Sequence, residues 1–269
     1  MDPTAVLGED VEVGPFAVIG PKVVIGARCK IENHATICTG TILGDDNYVG
    51  MGSILGGDPQ DAKWKGEQTF LEIGNKNIFR EYVTVHRATG EGQSTLVGER
   101  NFIMAYCHLG HNVTLHSDIT IANNVGISGH VTVEDLANIG GMVGIHQWTR
   151  IGKVAMVGGM TRVVRDVPPY MISAGESQEV HDINAIGLRR IGVSPSERLA
   201  LHRACKLLYR SQLGLTHAMN IVEREIDPLT EQVKYLLSFE RHRSNGRNGR
   251  GDQPGGVRKD RVDEAPKPE

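Results

Sequence analysis

From Leu7 onward an aliphatic residue returns at every sixth position: Leu7, Val13, Ile19, Ile25, Ile31, Ile37, Leu43, Val49 and Leu55. Glycine follows directly at Gly8, Gly14, Gly20, Gly26, Gly44, Gly50 and Gly56. The phase breaks over residues 57–72 and resumes as Ile73, Phe79 and Val85. It breaks again over 86–96, then runs unbroken from Val97 to Val163. Of these 24 positions, 23 are Ile, Leu or Val. A period of six is neither the 3.6 of a helix nor the 2 of plain strand alternation. It predicts strands of a few residues, each with an inward aliphatic side chain, joined by turns in which Gly or Asn takes a positive φ. Three such strands close a triangular coil of 18 residues, and the 24 hexads make eight coils. Stacked about 4.8 Å apart, the usual inter-strand spacing, they form a parallel β-helix over residues 1–165 with insertion loops at 57–72 and 86–96. An all-β sandwich with regular turns would not hold one phase over the 67 residues from 97 to 163.

After Val163 the pattern changes. Asp166-Val167-Pro168-Pro169-Tyr170 opens an extended connection over 166–193, since the residue before a proline avoids the helical region. Ser194-Pro195-Ser196-Glu197 has the form of a capping box with proline in the first turn. It predicts a helix to about Leu213, stopped by Gly214, then a second helix from Thr216. A third, capped by Asp227-Pro228, is expected to end near Arg243, closing a helical domain over 194–243. Residues 244–269 are Gly, Arg, Asp, Pro and Lys with almost no apolar member, the composition of a disordered tail.

Composition narrows the function classes. Glycine is 33 of 269 residues and aromatics are 5%, which suits many tight turns around an aliphatic core. The net charge of −3 gives no basic footprint for nucleic acid. No apolar run approaches the roughly 18–20 residues of a membrane helix, and Met1-Asp2-Pro3-Thr4-Ala5 has neither the basic nor the apolar stretch of a signal peptide. Cys29, Cys38, Cys107 and Cys205 are scattered, as in a reducing compartment. A cytoplasmic protein is expected.

The chemistry gathers in the uninterrupted coils. Six of the eleven histidines are His86, His108, His111, His116, His130 and His146. Residues 18 apart stack one coil above another, so His111, Gly129 and Gln147 form one column and Asn112, His130 and Trp148 the next. Gly110, Ser128 and His146 form a third. The repeat thus brings His111, His130, His146 and Gln147 within roughly 10 Å on one turn edge. Two chemistries fit. One imidazole can act as general base near neutral pH, with the bare N–H of Gly129 offered to an oxyanion. Alternatively three histidines, such as His86, His108 and His111, can bind zinc and leave a fourth position for water.

The runs Ala105-Tyr106-Cys107-His108-Leu109-Gly110-His111-Asn112, Asn123-Asn124, Gly129-His130-Val131, Ile139-Gly140-Gly141-Met142-Val143-Gly144-Ile145-His146-Gln147, Asp166-Val167-Pro168-Pro169-Tyr170 and Asn184-Ala185-Ile186-Gly187-Leu188-Arg189-Arg190 are similar to the UDP-N-acetylglucosamine O-acyltransferases that begin lipid A synthesis. The match runs from residue 1 to about 243. The resemblance implies a left-handed β-helix with a helical C-terminal part, a homotrimer with active sites in clefts between subunits, and no metal or cofactor. It implies transfer of a 3-hydroxyacyl group from acyl carrier protein to the sugar 3-hydroxyl. By resemblance the base falls on His111 and the oxyanion N–H on Gly129. Substrate contacts fall on His108, His130, His146 and Gln147, the sugar and phosphate loop on Asp61 and Lys63, and the nucleotide on Asn184 and Arg190. The position limiting acyl length falls on Gly159, where glycine leaves the groove open. Three positions depart from the family: Asn112 where Asp usually follows the base, Ile186 in place of Glu, and Ile191 in place of Arg. Asn112 also admits a second class, a catalytically altered paralogue that binds a sugar nucleotide or carrier protein. The zinc reading corresponds to a γ-type carbonic anhydrase.

Overall fold

A computed structural model describes residues 1–255. The hexads form three parallel sheets that are the walls of a triangular prism. The first sheet runs from Val6–Leu7 to Arg150–Ile151 and the third from Val18–Ile19 to Arg162–Val163, each of eight strands. The second runs from Glu12–Val13 to Met156–Val157 and is extended by two more strands. The winding is a left-handed β-helix. Most strands are two residues long, too short to accumulate the twist that otherwise biases crossovers to the right hand.

Partners in register are 18 residues apart, as in Leu7↔Ile25 and, within the uninterrupted coils, Val97↔Leu115. Across the breaks the pairing is Leu43↔Ile73 and Ile73↔Val97. The aliphatic of each hexad points inward, and so does the residue two before it, commonly Val, Ala or Cys: Val23 with Ile25, Cys29 with Ile31, Ala137 with Ile139. Corners are turned by non-glycine residues at positive φ, among them Arg28, Tyr82, Tyr106, His130 and Trp148. This conformation costs an L-residue about 1–2 kcal/mol. Stacking on the neighbouring coil offsets it, as where the Tyr82 and Tyr106 rings lie 5.2 Å apart.

The connection expected to be extended over 166–193 is structured. Met171–Ala174 pairs in parallel with Met156–Val157 and antiparallel with Glu179–Ile183, forming a hairpin that covers the end of the second sheet. Helix α1 (Ala185–Arg190) follows, with Asn184 as its N-cap. The proline pair masks this because Pro168-Pro169 sits ahead of the strand, where no ladder N–H is needed.

Helices α2 (Pro195–Tyr209), α3 (Leu215–Glu225) and α4 (Glu231–Asn245) complete the C-terminal part. The Ser194–Glu197 capping box is present. α2 ends four residues before Leu213, where Ser211 Oγ turns back to the Leu207 carbonyl at 2.6 Å. Gly214, expected as a stop, is instead the extended N-cap of α3. Thr230, not Asp227-Pro228, caps α4. The helices bury Leu201, Ala204, Val222, Val233 and Leu236 together with Met171 and Tyr170.

The stretch after α4 is partly ordered against the prism. Gly251 N–H donates to Asp166 Oδ2 at 2.7 Å, Asp166 N–H donates to the Gly249 carbonyl at 2.8 Å, and Arg250 is buried against the Val164 carbonyl. Polar composition conceals this because the contacts are hydrogen bonds to the end of the last coil. Of the tail expected over 244–269, residues 256–269 lie outside the described residues.

Candidate active site

One edge of the prism, where the third sheet turns into the first, carries His111, His130 and His146, with His86 and His108 on the strands leading into it; His116 lies on the edge between the first and second sheets. Both insertions leave from the His111 edge, one between Ile54–Gly57 and Phe70–Ile73, the other between Thr84–His86 and Ser94–Val97. The next turns on it are Gly110-His111-Asn112, Ser128-Gly129-His130 and His146-Gln147-Trp148. Their third residues, Asn112, His130 and Trp148, all have positive φ. His130 lies flat on Trp148, centroids 3.8 Å apart and planes 3° from parallel. His111 meets His130 edge-on at 5.1 Å, and His86 meets His108 edge-on at 5.0 Å.

His111 and Gly129 are fitted to each other. A Cβ on Gly129 would stand 2.5 Å from both Cε1 and Nε2 of His111, so only glycine admits the ring there. The N–H of Gly129 has no acceptor among the described residues. Gly110 contributes to its exposure, because a Cβ at 110 would lie 2.9 Å from the Gly129 nitrogen. His111 Nδ1 is 2.9 Å from Asn112 Oδ1.

These groups line a cleft of about 630 Å³ that includes Gln60, His108, His111, Gly129, His146 and Gln147 and ends at Arg162. Its floor is the outer face of the third sheet, where successive outward positions are His108, Gly126, Gly144 and Arg162. Elsewhere this column carries side chains, among them Val18, Thr36, Ile54 and Thr84. A Cβ at Gly126 or Gly144 would meet nothing within 4 Å, and neither has a positive φ. Glycine is therefore demanded there by neither packing nor backbone, although it weakens a strand, and it leaves the floor of the cleft bare.

Electrostatics separate the imidazoles. Burial, followed by the positive field of His111, pushes His130 down to about 4; the Asp61 carboxylate opposes this and Lys63 adds to it. Burial also lowers His108, with His86 and His111 contributing. Both are neutral at pH 7. Thr84 Oγ1 lies 2.8 Å from His108 Nδ1. His146 Nδ1 is 2.9 Å from the Gln147 carbonyl, and His86 Nδ1 is 2.5 Å from that of Asp58; carbonyls only accept, so both Nδ1 atoms carry hydrogen. Among the described residues no group of three or more His, Cys, Asp or Glu is placed to hold a metal ion, the set His86, His108 and His111 included.

The first insertion brings Asp61 and Lys63 toward His130, with Lys63 N–H bonded to Asp61 Oδ1 at 3.0 Å. Of the residues named from resemblance, Asp61, Lys63, Asn112 and His130 border this cleft without lining it, and Gly159, Asn184 and Arg190 lie away from it in one protomer. Gly159 belongs to the corner between the second and third sheets. Asn184 is engaged as a cap, Nδ2 donating to the Val154 carbonyl at 2.9 Å and Oδ1 accepting from Gly187 N–H at 3.0 Å. Arg190 ends α1, exposed. Sequence reasoning missed Gly126, Gly144 and Arg162; their signal is the 18-residue column through His108.

A prism of hexapeptide coils with a histidine cleft on one edge and a helical cap is an architecture of the hexapeptide-repeat transferases. The family model for bacterial transferase hexapeptide repeats matches residues 4–39 and 94–129, and domain 2 of UDP-N-acetylglucosamine O-acyltransferase matches 166–250. The acyl-[acyl-carrier-protein]–UDP-N-acetylglucosamine O-acyltransferase of Synechocystis sp. is 42% identical over 80% of this chain and 77% of its own. That of Paraburkholderia phytofirmans is 46% identical over 81% and 84%. The crystal structure of a UDP-N-acetylglucosamine acyltransferase from Bacteroides fragilis superposes with a TM-score of 0.87 at 36% identity, covering 90% of this chain and 94% of that one. The chain belongs to the UDP-N-acetylglucosamine O-acyltransferase family.

Proposed function

We propose that the protein transfers a 3-hydroxyacyl chain from acyl carrier protein to the 3-position of UDP-N-acetylglucosamine, the opening acylation of lipid A synthesis. The observation that carries this is the pairing of His111 with Gly129: a ring nitrogen and an unengaged N–H side by side in one cleft. His111 Nε2 takes the proton of the sugar hydroxyl as its oxygen attacks the thioester carbonyl. Gly129 N–H donates to the resulting oxyanion, a preorganised donor where charge develops. Collapse breaks the carbon–sulfur bond, and the imidazolium returns its proton to the departing thiolate. His108 and His130, held neutral, place no competing positive charge beside the base.

Lys63 and Arg190 hold the pyrophosphate as charge-assisted donors. Asp61, His130, His146 and Gln147 hold the sugar, and Asn184 borders the nucleotide. The acyl chain runs over the bare strand glycines toward a groove left open at Gly159. We read the working unit as a homotrimer in the cytoplasm. The edge between the second and third sheets presents Phe16, Tyr82, Tyr106, Met142 and Met160, large apolar side chains with open exposure, for a neighbouring copy. Copies meeting there would bring the residues absent from one protomer's cleft to the next. No helix among the described residues is long and apolar enough to cross a membrane.

The test is a transfer assay pairing labelled UDP-N-acetylglucosamine with a panel of 3-hydroxyacyl carrier proteins. Transfer is expected with at least one donor, and His111→Ala should lower turnover by about 10²–10⁴, the range of general-base assistance. Light scattering in the same preparations should give three times the chain mass. Absence of transfer from every donor, or undiminished turnover in His111→Ala, defeats the reading.

A further inference from the structure

The second insertion reaches the candidate base through one side chain. Asn112 Oδ1 accepts the Thr89 N–H at 2.9 Å and the Thr89 hydroxyl at 3.0 Å, while Asn112 Nδ2 donates to the Thr89 carbonyl at 3.1 Å. The Asn112 N–H is held separately by Thr95 Oγ1 at 2.9 Å. Thr89 thus offers one backbone donor and one backbone acceptor to the two unlike ends of a carboxamide. Reversing the amide would set N–H against NH₂ and oxygen against oxygen, so a single orientation fits. In that orientation Oδ1 faces His111 Nδ1 at 2.9 Å. A carboxamide oxygen cannot donate, so the hydrogen of this bond sits on Nδ1 and the lone pair is left on Nε2, the atom packed against Gly129.

We infer that Thr89 is a positioning residue: acting through Asn112, it fixes His111 as the Nδ1–H tautomer and leaves Nε2 as the acceptor. This rests on the reading of His111 as base, and it gives that loop a function other than its own contact with substrate. It also explains how Asn serves where Asp is usual. What the ring requires from position 112 is an acceptor oxygen in a fixed place, and Thr89 supplies the fixing that an amide needs.

Two measurements on the full chain test this. The first is the long-range proton–nitrogen correlation of nitrogen-15-labelled histidines, with the His111 signals assigned by their loss in His111→Gln. Wild type is expected to show the Nδ1–H pattern at His111. Asn112→Gly, which keeps the positive φ of 112 free of strain, should lose that pattern. Asn112→Asp, which retains an acceptor oxygen, should keep it. The second is turnover against KM. Asn112→Gly should reduce turnover by roughly 10²–10⁴, the upper figure being the cost of a wrong tautomer in a serine-protease triad, with little change in KM. Thr89→Ala keeps both backbone contacts and loses only the hydroxyl bond, so it should cost at most about tenfold. Thr89→Pro, which removes the backbone donor, should lose the Nδ1–H pattern and more turnover than Thr89→Ala. An Nε2–H pattern in wild type, an unchanged pattern in Asn112→Gly, or an unchanged pattern with full turnover in Thr89→Pro would each overturn the inference. Continued turnover in His111→Ala would instead remove the base assignment, while the resting tautomer would still be read from the spectrum.

Discussion

Two edges of the same prism are built from the same turn and used in opposite ways. Where the first sheet passes into the second, the turn N–H groups are satisfied from the next coil: Ala27 by Asp45, Asp45 by Asn75, Glu99 by Ser117 and Ser117 by Asp135. Behind them Asn47, Asn77 and Asn101 form a buried ladder. Each of the two later asparagines donates to the Oδ1 below through both its backbone N–H and its Nδ2, at 2.9–3.0 Å. Where the third sheet passes into the first, His111, Gly129 and Gln147 stand at the equivalent places, and their N–H groups have no acceptor among the described residues. Backbone polar groups are normally paired. An edge that pairs them internally is a structural seam, and one that leaves them open beside a cleft is poised to bind.

The sharpest way to break this contrast is Gly129→Ala. The new Cβ would displace the His111 ring and crowd the N–H, so turnover should fall by at least about 10²–10³, the cost of losing one oxyanion donor. Kinetics with saturating substrates would show it; near-normal turnover would mean that the open edge is not the reacting one.

On the sealed edge the large effect should be on stability. Asn77→Ala leaves the Asn101 backbone N–H and the Gly98 carbonyl without their partner. A loss of about 1–3 kcal/mol per unsatisfied buried group is expected, measured by denaturant unfolding, with turnover per folded molecule unchanged. Gly126→Ala should do the reverse. With nothing within 4 Å of the new methyl it should leave stability unchanged or raise it by about 0.5–1 kcal/mol, while KM for the acyl donor rises. Lower KM would place the acyl chain elsewhere.

The last prediction concerns pH. His130 is held at about 4 when folded against an ordinary 6.5, so the unfolded chain binds the proton first. The stability this group contributes is therefore complete above about 6.5 and is lost as pH falls from there toward 4. Thermal melts between those limits should have a shallower slope in His130→Asn than in wild type.

The winding was written in the chain alone. A hexad that spends its aliphatic on the inside has one way to bury a continuous core, and once the phase is fixed the columns follow by counting 18; that is why His111 over Gly129, and His130 over Trp148, were legible. The outward glycines of the third sheet were in the same columns and legible too, had the count been carried to the wall as well as to the edge. Where the count stops, folding in three dimensions took over. The insertions have no phase, so their contacts, including Thr89 on Asn112, depend on how each loop folds back. The ordered segment over 249–251 depends on a buried Asp166 carboxylate at the end of the last coil, and the hairpin and α1 depend on the second sheet's open end. Periodicity constrains residues that repeat a neighbour's environment; a loop or a cap meets surfaces that occur once, and only the folded chain defines them.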